Sequence, residues 1–175
     1  MGTNAEFDRL IEIGRPPNIA RRFPNSRALI VSGKVIDQAL TAKGKAMTIA
    51  ANGRNSLVIR GALMAAQRAD AALIIEIARS ESSYCPINFY NIALHVDAAC
   101  NELGITIPVA VHADHYGIKK EEDIAPAKIE IPTMFDAGIT SIAIDASHMP
   151  DDLNLNTKIE LNPFITAWAG LETEK

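Results

Sequence analysis

The stretch His112-Ala113-Asp114-His115 places two imidazoles and a carboxylate directly behind the wholly apolar run Pro108-Val109-Ala110-Val111. A neutral imidazole can ligate a divalent metal, a nearby carboxylate can move protons, and a second histidine can orient either through a hydrogen bond. In an extended chain His112 and Asp114 project to one side and His115 to the other, unless the strand has turned before His115. Asp145 follows the apolar run Ile142-Ala143-Ile144, where aspartate also serves as a turn residue or helix N-cap. Glu172 and Glu174 close a further candidate strand, and Asn52 directly follows another. By position alone His148 reads as a loop histidine and His95 as a structural residue of a helix. Arg15, Arg21 and Arg22 read as a solvated cluster.

The elements that must position these groups follow from hydrophobic pattern. From about residue 45, short β-rich apolar runs alternate with amphipathic stretches, the pattern of successive βαβ units and a parallel sheet. Strands are predicted at Ala46 to Ala51, Ala71 to Ile77, Ile105 to Val111, Thr140 to Ile144 and Leu171 to Glu174. Helices are predicted near Ser56 to Ala69 and Asn88 to Leu103, the latter closed by Gly104, and Gly138 is read in the same part before the fourth strand. Lys34 to Ala42 reads as a helix that caps the domain, and Asn162-Pro163 as a break in the last helical stretch. In parallel α/β folds the strand ends share one face, so the polar residues behind each strand can converge.

At 175 residues, 48% apolar, the chain can bury one core and is short for two domains. A net charge of −4 with scattered Lys and Arg offers no basic field for nucleic acid. No apolar run reaches the roughly 18 residues that span a bilayer, so no membrane partner is expected and the expected location is cytoplasmic. Cys85 and Cys100 lack CxxC spacing, and Cys100 reads as a small buried hydrophobe beside Ile92, Val96 and Leu103.

The segment from Pro108 to His115 resembles the HxDH strand-end motif of class II, metal-dependent fructose-bisphosphate aldolases. The segment Gly138 to Pro150 is similar to that family's G-(F/I)-T-S-(V/I)-x-I-D-x-S-H-x-P, and Leu171-Glu172-Thr173-Glu174 stands where the family has an E-x-E strand. The resemblance runs from about Leu29 to Lys175 and implies a TIM (β/α)8 barrel. Such a barrel takes about 250 residues, so the expectation here is an incomplete one of about five β/α units. Residues 1–28 are then a leader and 29–175 the N-terminal part of a single barrel domain. The resemblance implies that His115 ligates a catalytic zinc or other divalent ion, with Asp145 and Glu174 as carboxylates around a second or alternative metal position. It implies Asp114 as the group taking the C4 hydroxyl proton, His112 as a supporting neighbour and Asn52 as a substrate contact. The implied reaction is cleavage of fructose 1,6-bisphosphate to dihydroxyacetone phosphate and glyceraldehyde 3-phosphate, with a sugar phosphate as partner and a homo-oligomer expected. The second strand ends in Ala78-Arg79 where the family often has a phosphate-touching serine. Two alternatives stand beside this reading: an aldolase for another ketose bisphosphate such as tagatose 1,6-bisphosphate, and a non-catalytic half-barrel binding or oligomerisation module.

Overall fold

The computed structural model describes residues 4–161 except 152, 155 and 159. Its elements run α1 (Asn4–Gly14), α2 (Pro17–Arg22), α3 (Gly33–Lys43), β1 (Ile49–Asn52), α4 (Ser56–Ala69), β2 (Leu73–Ala78), α5 (Ile92–Leu103), β3 (Val109–Gly117), α6 (Ile124–Asp136) and β4 (Ser141–Asp145). The four strands pair in parallel and in sequence order, β1-β2-β3-β4. A parallel sheet in chain order with a helix in each crossover is an arc of a TIM-barrel-like fold. The predicted strand at Leu171 to Glu174, the break at Asn162-Pro163 and the metal-ligand candidate Glu174 lie outside the described residues.

Strand alternation divides the sheet into two faces. Ile75, Ile77, Val109, Val111 and Ala113 enter the main core with Ile59 and Leu63 of α4, Ile92 and Val96 of α5, and Ile131 and Phe135 of α6. On the opposite face Ile74 and Ala110 pack with Ile36 and Leu40 of α3 and Phe7 and Ile11 of α1. Both faces of β2 are covered at its base, which is why that strand opens on the apolar run Leu73-Ile74-Ile75. Higher on this second face the residues turn polar.

Several local features follow from residue chemistry. Asn55 caps α4, its side chain accepting from the Val58 N–H, and Gly104 ends α5 in the left-handed conformation, as its sequence position suggests. Gly138 has φ +105°, and a Cβ there would stand 2.5 Å from that of Ala93, so glycine is required twice over. The start of α5 is Ile92 rather than Asn88, because Asn88 and Asn91 spend their side chains on local turn bonds. Helix α6 ends just before Gly138, as the reading of that glycine implies, but its course through Pro132 runs against propensity, since an internal proline argues against a helix.

The segment before residue 29 packs on the body. Buried Asn18 donates from Nδ2 to the carbonyls of Phe135 at 2.7 Å and Ile139 at 2.9 Å, pinning α2 to the end of α6. Arg15, expected in solvent, instead donates to the carbonyls of Ser26, Ile19 and Phe23 and braces the turn after α2. Asn18→Ala is expected to destabilise the protein by about 1–2 kcal/mol, since both bonds of a buried amide are lost while the Phe135 carbonyl still accepts from the Gly138 N–H. Urea unfolding measures it.

Candidate functional site

The polar level of the sheet is set by register. Asn52 of β1 pairs with Glu76 of β2, Glu76 with His112 of β3, and Ala78 with Asp114 one step above. The neighbours Ile75, Ile77, Val111 and Ala113 point to the helices, so Glu76, His112 and Asp114 share the opposite face. The histidine and aspartate cluster lies within β3, which runs to Gly117, and not in a loop after Val111 as expected.

His115 reaches that face through a backbone irregularity. Between the pairs Ala113 with Ile142 and Tyr116 with Ile144, β3 advances three residues while β4 advances two, a β-bulge. His115 takes φ +44°, in the left-handed region. The extra residue turns His115 outward, where its Nδ1 lies 3.3 Å from Asp145 Oδ2 and its Nε2 3.8 Å from Asp114 Oδ2. Tyr116 returns to the core, its hydroxyl donating to Glu130 at 2.5 Å and its ring lying 4.3 Å from the Arg79 guanidinium. Arg79, at the position where a phosphate-touching serine was compared, is therefore committed to Glu130 and to the Gly117 carbonyl.

Charge states follow from these neighbours. The Ser147 hydroxyl and N–H, then His115, hold the Asp145 carboxyl at about 2, so it is ionised. The Asp145 bond, then the Asp114 charge, raises His115 above the ordinary imidazole value. Burial lowers His112, against opposing pulls from Asp114 and Asp37, leaving a neutral imidazole able to ligate. Burial, then the charges of Asp114 and Glu81, raises Glu76.

Two donor sets suit a divalent cation. His115 and Asp145 form an imidazole–carboxylate pair, and His115 would ligate through an unprotonated ring nitrogen. Glu76, His112 and Asp114 each offer one ligand atom, all within 4.8 Å of one another. Nitrogen and carboxylate oxygen fit zinc and comparable divalent ions. Of the residues singled out from sequence, the structure brings Asp114, His115 and Asp145 together, sets His112 beneath Asp114, and places Asn52 on the same level at the end of β1. His148 is exposed and His95 half-buried in α5.

Glu76 and Glu81 were not among the candidates. Glu76 carried a signal in the sequence, a charge inside Leu73-Ile74-Ile75-Glu76-Ile77. Glu81 carried only its place among the polar residues behind the second strand, since folding alone brings Asn52 and Arg54 onto it. Glu81 is buried at 6% exposure and accepts from Arg54 Nε at 2.7 Å, from Arg54 Nη2, from Asn52 Nδ2 at 2.6 Å and from the Ala78 N–H at 3.2 Å. Burial opposes its charge, but the bonds from Asn52, Ala78 and Arg54 outweigh it and lower the carboxyl below its ordinary value. The folded state thus gains stability from Glu81 above the unfolded value of about 4.3 and loses it as pH falls through the lower folded value. Between pH 5 and 3 the protein is expected to lose more stability than Glu81→Gln, as followed by thermal melts.

The family model for class II fructose-bisphosphate aldolase matches residues 34–172. The fructose-bisphosphate aldolase of Staphylococcus aureus (strain Mu50) is 32% identical over 122 residues, covering 69% of this chain and 39% of the relative. That of Staphylococcus epidermidis (strain ATCC 12228) is 31% identical over 120 residues, covering 68% and 38%. The probable fructose-bisphosphate aldolase of Bacillus subtilis (strain 168) is 31% identical over 118 residues, covering 67% and 38%. The chain spans about two fifths of the length of these relatives. With the sheet order, the bulged HxDH strand and the facing Asp145 all inside the matched span, the chain belongs to the class II fructose-bisphosphate aldolase family.

Proposed function

We propose that this chain contributes to metal-dependent aldol cleavage and condensation of a ketose bisphosphate, fructose 1,6-bisphosphate being the substrate favoured by its relatives' names. The observation that carries this reading is the bulge that turns His115 to the face of Asp114 and Asp145. His115 would hold the cation with Asp145 beside it, and Glu174 would be a carboxylate of a second or alternative metal position. Asp114 then stays free to take the proton of the C4 hydroxyl as the C3–C4 bond breaks, leaving an aldehyde on one half and the bonding electron pair on the ketone half. A bound zinc or comparable ion supplies Lewis-acid stabilisation of that negative charge, worth several kcal/mol. His112, neutral and beneath Asp114, supports that carboxylate, and Asn52 contacts the substrate.

No described helix is long and apolar enough to cross a membrane. The free cysteines Cys85 and Cys100, the latter buried and with its thiol pushed up to about 12, fit a reducing cytoplasm. A homo-oligomer belongs to the same proposal, supported by exposed Met47, Ile49 and Leu57 along and beside β1. Light scattering is expected to give a mass above 18.9 kDa; a monodisperse species at that mass would remove the oligomer.

The test of the reaction is cleavage of fructose and tagatose 1,6-bisphosphates before chelation, after chelation and after zinc is returned. Cleavage lost with the metal and restored by it, faster on the fructose ester, is the expected result. Cleavage that survives chelation, or that borohydride traps on a lysine, would refute the proposal.

A further inference from the structure

Glu81, in the segment after β2, is bonded to Asn52 at the end of β1 and to Arg54 in the loop that follows it. Its four hydrogen-bond contacts all come from donors. A carboxylate can only accept, so the amide of Asn52 must turn its nitrogen toward Glu81. The opposite rotamer would set two acceptor oxygens 2.6 Å apart. Asn52 Oδ1 is thereby sent away from Glu81, and it is buried with no hydrogen-bond partner among the described residues. Buried acceptors are rarely left in that state. Asn52 stands beside Glu76 in register, on the level of His112.

We propose that Glu81, clamped by Arg54, is a positioning residue that fixes the polarity of the Asn52 amide, so that Oδ1 of Asn52 serves as an acceptor for a hydroxyl of the sugar phosphate. This rests on the sugar-phosphate reading given above and adds a residue and a polarity to it. An acceptor at this position selects a ligand group that donates. A hydroxyl satisfies it, whereas a phosphate oxygen or a carbonyl oxygen does not. In Glu81→Gln the side-chain NH2 meets either Arg54 or the pair of Asn52 and Ala78, all of them donors. Flipping the Asn52 amide removes the Asn52 part of that conflict, leaving the Ala78 N–H opposed, and spends Oδ1 on the new glutamine. The ordinary alternative is a clip that only ties the two loops together.

The test titrates the zinc-loaded 175-residue chain with dihydroxyacetone phosphate in a calorimeter and follows the Asn52 side-chain amide in 1H–15N spectra, assigned through Asn52→Ala. Glu81→Gln is expected to shift that amide resonance and to weaken binding about tenfold, with Asn52→Ala weakening it similarly. Because Glu81 acts through Asn52, the double variant should bind no worse than Asn52→Ala alone. Additive losses in the double variant, or unaltered binding by Glu81→Gln, would overturn the positioning role and leave the proposed function standing. Should Glu81→Gln not fold, Arg54→Gln serves, because the Arg54 side chain is 57% exposed. Its expected effect is about threefold, vanishing in the Asn52→Ala background, and an equal effect in both backgrounds would overturn the proposal. A wild-type chain that binds no dihydroxyacetone phosphate would overturn the proposed function and the hydroxyl assignment together.

Discussion

Asp114→Asn is expected to lower turnover of the ketose bisphosphate by about a hundred- to ten-thousand-fold, the span that positioned proton transfer contributes. The amide is nearly isosteric with the carboxylate but cannot accept the C4 hydroxyl proton. Asp114 lies on the open face of β3 and its register partner is Ala78, so the substitution empties no core position. Steady-state cleavage of fructose 1,6-bisphosphate measures the loss, and the KM is expected to move far less than kcat. A variant that retains wild-type kcat would remove proton transfer from Asp114.

The second large effect concerns His115 and has opposite signs on function and stability. His115→Gly is expected to reduce zinc affinity by more than about 100-fold, because an imidazole ligand is lost outright where even a supporting partner is worth 10- to 100-fold. The metal-free protein is expected to be as stable as the wild type or up to about 1 kcal/mol more stable. His115 holds φ +44°, a conformation costing a non-glycine residue roughly 1–2 kcal/mol, offset in part by the greater unfolded-state freedom of glycine. Competition with a chromophoric chelator reads the affinity, and urea unfolding reads the stability. A large destabilisation would mean that the bulge depends on the histidine side chain rather than merely presenting it.

The chain's organisation could be read where patterns are local. Alternating β-rich runs and amphipathic stretches marked all four described strands, most plainly β2 and β3, whose covered stretches are apolar on both faces. Their ends shifted by a few residues: β1 begins at Ile49 rather than Ala46, and β3 at Val109 rather than Ile105. The end of α6 is legible in Gly138, but its extent is not, because Pro132 weighs against helix in any propensity sum, while packing of Ile131, Met134 and Phe135 outweighs it in the fold. The site divided in the same manner. His112 and Asp114 share a face by strand period and Asp145 stands at its strand's end, whereas His115 reaches their face only if the strand turns before it. That a bulge supplies this turn depends on the register between β3 and β4, a long-range property. Glu81 was beyond reach for a similar reason, since its partner Asn52 is 29 residues away.

Two donor sets lie side by side, and they assign Asp114 incompatible tasks. Held by His115 and Asp145, the cation leaves Asp114 free to take a proton. Held by Glu76, His112 and Asp114, it makes Asp114 a ligand. Anomalous diffraction at the zinc absorption edge, on crystals grown with one equivalent of zinc, locates the ion without reference to activity. A peak within about 2.0–2.2 Å of a His115 nitrogen, with Asp145 alongside and Asp114 unligated, is the expected result. A single peak bounded by Glu76, His112 and Asp114 would contradict it and would remove Asp114 from proton transfer.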